Sequence, residues 1–254
     1  MGTELDEIAL FAERLADTAR RLGRKYFRAT SGFELKSDRS PVTVADRAIE
    51  AALRREIERA FPHHAICGEE MGLTNKGSRM WVIDPIDGTL SFITGTPSFG
   101  TLIAYVEEGV AKVGVIELPI PGERWVGARG ITIANGSIVQ TSGCTALQEA
   151  RISTSSIDYY AGDEWPRYDA LSRRAALRRF GGECSQWGLL ASGHLDVVSD
   201  GDMHPHDFLA LIPVVEGAGG VITDWHGRTL TPDYFGPVIG SATPELHEEA
   251  LAAL

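Results

Sequence analysis

Apolar residues recur at three- and four-residue steps from the start of the chain, at Leu5, Ile8, Ala12, Leu15, Ala19 and Leu22. That spacing lines one helical face and predicts an amphipathic opening helix. A second stripe, Ala45, Ile49, Leu53 and Ile57, predicts another helix over 44–60. The pattern then breaks into short apolar runs at 65–67 and 80–83, which read as strands. Runs at 101–106, 112–118 and 123–128 predict an antiparallel meander, punctuated by Glu107-Glu108-Gly109 and the PIPG turn at 119–122.

Beyond residue 150 the rhythm changes. A strand over 151–154 is followed by helices over 169–176 and 185–192, a strand over 194–198, a helix over 208–216 and a strand over 221–224. Residues 244–253 form a closing helix with Pro244 in its first turn, where a missing N–H costs nothing. Strand–helix alternation behind an α+β stretch predicts a layered α/β and α+β sandwich. The polar TSGCT segment, within 139–147, marks the seam between halves at 1–142 and 143–254.

Composition adds boundaries. The chain has 254 residues, 43% hydrophobic and 23% charged, enough for one large or two closely packed domains. A formal charge of −11 excludes a general nucleic-acid binder, which needs clustered Lys and Arg. The basic run RYDALSRRAALRR at 167–179 reads as the solvated face of a helix. Cys67, Cys144 and Cys184 are scattered and form neither a disulfide framework nor a zinc knuckle, which suits a reducing cytoplasm. The N-terminal segment lacks a secretory apolar core, and no apolar run is long enough to span a bilayer. The expectation is a soluble cytoplasmic protein without membrane or nucleic-acid partners.

Acidic residues carry the candidate chemistry. WVIDPIDGT at 81–89 ends an apolar run in Asp84 and Asp87, and two carboxylates that close repel unless a cation or proton compensates. Read alone, DPIDG is equally well an ordinary turn. Its acids do not have EF-hand spacing. Glu69 and Glu70 follow another short strand, and a glutamate pair on a loop is ordinarily solvated. Thr43 and Asp46 have capping-box spacing, and Asp207, after Pro205, could serve as an N-cap. Taken together, Asp46, Glu69, Asp84, Asp87 and Asp207 all lie at element ends. Oxygen donors without His or Cys select magnesium, manganese or calcium. Gly88 and Thr89 would offer backbone N–H groups to a phosphate at the start of a short helix. The set points to metal-assisted phosphoryl transfer to water.

These residues are similar to the signatures of a known family. SPVTVAD at 40–46, GEE at 68–70, WVIDPIDGT at 81–89 and HDFLALIPVVEGAGGVITDWHG at 206–227 resemble, in order, the motifs of the inositol monophosphatase-like superfamily of metal-dependent, lithium-sensitive phosphatases. SFITGTPSFGTLIAYVEEG, ERWVGARG and GGECSQWGLLASGHLDVV are most similar to its histidinol-phosphatase branch. The resemblance implies alternating α-β-α-β-α layers, Mg2+ as cofactor (two or three ions, with Mn2+ as substitute and lithium as inhibitor) and a homodimer. It implies hydrolysis of L-histidinol phosphate by in-line attack of a metal-activated water.

Carried onto this chain, the family pattern gives Glu69, Asp84 and Asp87 as metal ligands, helped by the backbone carbonyl of Ile86. Asp207 would hold the ion nearer the leaving oxygen, and Asp46 a weaker position through water. Thr89 would donate to Asp46 and orient the attacking water, making Asp46, Glu69 and Thr89 the catalytic set. Gly88 and Thr89 would hold the phosphate. Two departures stand out: His206 replaces the usual aromatic before Asp207, and Asp200 stands where a Glu contacts the substrate's organic part. Asp200, Asp202 and His204 would then form a polar rim suited to an ammonium and an imidazole.

Other readings compete. An inositol phosphate or another small alcohol phosphate would use the same metals. The HPH at 204–206 could suggest zinc, but His63, His64, His194, His226 and His247 show no matching ligand spacing. A non-catalytic metal- or phosphate-binding regulator would be expected to lack a ligand, and none is missing.

Overall fold

The computed structural model describes residues 4–29, 32–36, 41–75 and 77–254; Ser40, which opens the SPVTVAD motif, lies outside them. Helix α1 (Glu4–Tyr26) buries Ile8, Phe11, Ala12, Leu15, Ala16 and Ala19 along one stripe. Its first turn carries Glu4, Asp6 and Glu7 and its last carries Arg24 and Lys25, in the sense that complements the helix dipole. A two-stranded ribbon, β1 (Glu34–Leu35) and β2 (Pro41–Val42), leads into α2 (Val44–Ala60). The expected capping box starts α2: Thr43 Oγ1 accepts from Ala45 N at 3.1 Å, and the Asp46 carboxylate accepts from Thr43 N at 2.8 Å.

Strands β3 (Ala65–Gly68), β4 (Gly72–Thr74) and β5 (Arg79–Asp87) follow, then the short helix α3 (Thr89–Thr94). The meander comprises β6 (Gly100–Glu107), β7 (Val110–Leu118), β8 (Glu123–Ala128), β9 (Ile131–Ala134) and β10 (Ser137–Val139). These eight strands form one sheet in the order β10-β9-β8-β7-β6-β5-β3-β4. The remaining chain runs β11 (Arg151–Thr154), α4 (Glu164–Ser172), β12 (Leu177–Phe180), α5 (Cys184–Ala191), β13 (Val197–Met203), α6 (Pro205–Phe208), α7 (Leu211–Gly217), β14 (Val221–Asp224), β15 (Gly236–Ser241) and α8 (Pro244–Ala253). Its five strands form a second sheet, β12-β11-β13-β15-β14.

Period-two alternation splits the core across the larger sheet. Trp81, Ile83, Ile103 and Tyr105 pack with the apolar faces of α1 and α2. Their neighbours Val82, Leu102, Ala104 and Val106 turn the other way and join α5, α7 and the second sheet in one continuous cluster. Helices α4 and α8 pack against each other, with α8 against β15. The order is therefore helix, sheet, helix, sheet, helix, the layered sandwich expected. The larger sheet ends at Val139 and the second sheet begins at Arg151.

Several local readings are corrected. The basic run at 167–179 is not one helix face: α4 stops at Ser172, and Leu177–Phe180 pairs in parallel with β11. Sheet pairing overrides the helix propensity of RRAALRR, and Arg173 and Arg178 both bond to Asp169. The strand placed at 194–198 is Val197–Met203, the helix at 208–216 is two pieces, and β9, β10, β12 and β15 were not read from the sequence. Among the described residues, no helix is long and apolar enough to cross a membrane.

Candidate metal centre

The DPIDG segment is not a turn. Strand β5 continues through it to Asp87, with Asp84 opposite Leu102 and Asp87 opposite Gly100 on β6. Three residues on β5 thus span two on its partner, which is a β-bulge. Pro85 has no N–H for the ladder, so a bulge is where a strand tolerates it. In a regular strand, residues three apart point to opposite faces. The extra residue cancels that, and Asp84 and Asp87 meet on one side. Asp207, at the start of α6, joins them: one oxygen from each lies within 4.8 Å of the others.

Glu69 arrives through register. Strands β3 and β5 are parallel, with Gly68 beside Ile83, and Glu69 N donates to Ile83 O at 3.2 Å. The next residues along, Glu69 and Asp84, therefore leave the two strand ends side by side, the end at which parallel sheets collect ligands. Glu69 is not within the tight oxygen group of the three aspartates. Lys36 Nζ lies 2.6 Å from Glu69 Oε1 and 2.6 Å from Glu70 Oε1. Burial opposes the Lys36 charge, but the two carboxylates override it and raise its pKa.

A buried pair fixes where this loop sits. Glu50 is fully buried on α2, one turn beyond Asp46, and Arg54 Nε binds its Oε1 at 2.7 Å. Glu50 also accepts from Glu70 N at 2.7 Å and Met71 N at 3.0 Å. Arg54 bonds to Gly72 O and to Thr74 Oγ1. Helix α2, which carries Asp46, is thereby bolted to the loop that carries Glu69. Gly68 is the contact point: a β-carbon there would lie 2.1 Å from Glu50 Oε1. Sequence reasoning missed this pair, although two charged residues four apart on a stripe of Ile49, Leu53 and Ile57 were its signal.

Asp46 faces the same space. Thr89 Oγ1 lies 3.5 Å from Asp46 Oδ1 and 3.0 Å from the Ile86 carbonyl oxygen. Gly88, at φ 79°, is the N-cap of α3 and carries no capping side chain, so the first N–H groups of that turn stay free for an anion. Asp207 is not the N-cap of α6. It sits one turn in, where its Oδ2 accepts from His204 N at 2.7 Å, and His206 Nε2 stands 3.5 Å from its Oδ1.

Electrostatics identify what the acids lack. Burial, then the charges of Glu69, Asp87 and Asp207, push the Asp84 carboxyl well above its ordinary range. Burial and the Asp207 charge push Asp87 up to about 8, although Cys184 N donates to its Oδ2 at 2.6 Å. Burial also raises Asp207 and Asp46. Asp84 Oδ1 is buried with no hydrogen-bond partner. Crowded acids held above their normal range, with an unpartnered oxygen and no His or Cys donor among them, fit a hard divalent cation.

The rim expected at 200–204 is only partly exposed. Asp202 and His204 are at the surface, but Asp200 is 5% exposed and accepts from Ser155 N at 2.7 Å, Gln186 Nε2 at 2.6 Å, Thr154 Oγ1 at 3.1 Å and Trp187 Nε1 at 3.2 Å. Four donors on one buried carboxylate make it a structural hub rather than a rim residue. Asp200 pairs in regular register with Val238, on the same side of β13 as the buried Val198, and the irregularity of the strand comes only after it, before Met203. Tyr159 takes a place near the acids that the sequence did not suggest. Burial and the charges of Asp87, Glu183, Asp200 and Asp207 all raise its phenol.

An uncapped helix start beside crowded, buried carboxylates suits a metal-dependent phosphate-monoester hydrolase, and the fold and the family give that class. The chain belongs to the inositol monophosphatase family, whose model matches residues 4–254. It is 40% identical to the chloroplastic bifunctional phosphatase IMPL2 of Arabidopsis thaliana, over 99% of this chain and 76% of that protein. It is 38% identical to the histidinol-phosphatase of Chlorobaculum parvum, over 96% of this chain and 95% of that one. Among solved structures, an inositol monophosphatase from Zymomonas mobilis matches with a TM-score of 0.91 and 41% identity, covering 99% of both chains.

Proposed function

We propose that this phosphatase hydrolyses L-histidinol phosphate to L-histidinol and phosphate, with Mg2+ as the working ion. The observation that carries the reading is a flat ring surface at the mouth of the site. His204 and His206 stack at 5.3 Å with an interplanar angle of 6°, and the exposed Phe235 ring lies 4.5 Å from His204. A planar imidazole gains from stacking on such rings, whereas a saturated polyhydroxy ring asks for hydrogen-bonding groups around its edge. Asp202, exposed two residues before His204 in the chain, offers a carboxylate for the ammonium of the amino alcohol. Relatives named histidinol-phosphatase, at 38%, 35% and 33% identity, support the same substrate.

The residues divide the chemistry simply. Asp84, Asp87, Asp207 and Glu69 would hold a divalent cation, which would supply Lewis-acid activation of water and offset the ester's charge. Gly88 and Thr89 N–H groups hold the phosphate in place. Thr89 Oγ1, between Asp46 and the Ile86 carbonyl, orients water on the side facing phosphorus. Catalysis is then positioning and electrostatics, with no covalent enzyme intermediate.

One other reading has a specific support, the likeness to the Zymomonas mobilis inositol monophosphatase. A kinetic panel separates the two: kcat/KM with Mg2+ for histidinol phosphate, inositol 1-phosphate, fructose 1,6-bisphosphate and an adenosine bisphosphate. Histidinol phosphate is expected to lead. A preference for any of the other three overturns the substrate assignment, and turnover that survives chelation overturns the metal mechanism.

A further inference from the structure

The elbow before α5 has the most unusual backbone near the site. Glu183 sits at φ 44° and ψ −139°, a region that glycine occupies readily and other residues only under strain. Gly181 and Gly182 precede it at φ 87° and 134°, so the strain falls on the one residue of the three that carries a side chain. Such a conformation persists only where the surroundings over-determine it.

The side chain explains why it is held. Oε1 accepts the Ser91 hydroxyl at 2.8 Å, and Oε2 accepts the Ser98 hydroxyl at 2.8 Å and Gly182 N at 3.0 Å. Its stem lies on the phosphate cradle: a β-carbon on Gly88 would come within 2.5 Å of Glu183 Cγ. The next N–H along the chain, that of Cys184, is the one that donates to Asp87. One residue therefore touches α3, covers the cradle glycine and aims its successor at a carboxylate of the metal centre.

We propose that Glu183 is a positioning residue that locks the Gly88 cradle in register with Asp87. Both carboxylate oxygens already accept from protein donors, which leaves the group little capacity to read a substrate. The inference rests on phosphate-ester hydrolysis at this site and not on which alcohol departs, so p-nitrophenyl phosphate tests it alongside histidinol phosphate.

Glu183→Gly, Glu183→Ala and Glu183→Gln separate the possibilities. Glycine suits the backbone, so Glu183→Gly is expected to keep or raise the thermal midpoint. Its kcat falls tenfold or more on both esters, with KM moving less. Calorimetric titration of the metal-free protein with Mn2+ alone shows binding weakened severalfold, because Asp87 loses its oriented donor. Glu183→Gln, which keeps the shape and one acceptor oxygen, recovers most of both. Wild-type kcat and Mn2+ affinity in Glu183→Gly overturn the proposal. So does a loss confined to KM for histidinol phosphate, which would make the carboxylate a reader of the alcohol. A loss of kcat that tracks thermal midpoint across the three variants also overturns it, since a purely structural role predicts that pattern.

Discussion

Replacing Glu50 by alanine tests whether the metal centre is held together from behind. The change leaves the Arg54 guanidinium in a buried site without its carboxylate and strips Glu70 N and Met71 N of their acceptor. Removing one partner of a buried ion pair costs about 3–5 kcal/mol. Orphaned buried donors add about 1–3 kcal/mol each, less than additively within one network. The expected loss is about 4–7 kcal/mol, a large part of the roughly 5–15 kcal/mol available to a folded domain. The double variant Glu50→Leu with Arg54→Leu removes both charges and leaves no unpaired buried ion, only neutral groups without partners (Glu70 N, Met71 N, Gly72 O and Thr74 Oγ1), so its loss falls to about 2–4 kcal/mol. Urea unfolding of the wild type, Glu50→Ala and the double variant measures these differences. Mn2+ affinity should remain weakened in the double variant, because nothing then ties the 69–71 loop to the helix that carries Asp46. The reasoning fails if Glu50→Ala costs less than about 1 kcal/mol, or if the double variant binds Mn2+ as the wild type does.

Three further outcomes follow from the crowded acids and their neighbours. At about pH 8.5, where the acids are driven to ionise, Asp84→Asn removes a buried charge from a repelling set, so the metal-free protein should gain about 1–2 kcal/mol and melt roughly 2–6 °C higher while losing divalent-cation binding; a lower midpoint there contradicts the repulsion. Because the folded-state carboxyls of Asp84, Asp87 and Asp207 are raised, the native state binds more protons than the unfolded chain above about pH 4. Their contribution is complete in acid and is lost as pH rises through about 8, where Asp87 ionises. Calorimetric melting should therefore show metal-free stability falling from about pH 5.5 to about pH 8.5, and saturating Mg2+ should flatten that slope. Asp200→Ala orphans four donors at a buried hub and should cost about 3–5 kcal/mol in urea while leaving the ratio of kcat/KM between histidinol phosphate and inositol 1-phosphate unchanged. A changed ratio would return Asp200 to a role in reading the substrate.

By itself the sequence determined the layers, because each helix and each main strand writes its buried face in local periodicity: the α1 stripe, the Thr43–Asp46 cap and the alternation through Trp81, Val82 and Ile83 are all short-range patterns. It also determined which acids were candidates, since residue type and order are written in the chain. Tertiary structure decided which of those acids meet. The bulge at Pro85 turns Asp84 and Asp87 to one side, the parallel register of β3 with β5 delivers Glu69, and the end of β11 and helix α5 bring four donors to Asp200 on β13. A bulge reverses a side chain's face by one residue, and nothing in local periodicity announces it except a proline out of place. Glu50 with Arg54, and Glu183 with Ser91 and Ser98, were invisible for a related reason. Glu50 and Arg54 pass as an ordinary solvated helix pair until burial at the 68–74 hairpin is known, and Glu183 bonds serines more than eighty positions away in the chain.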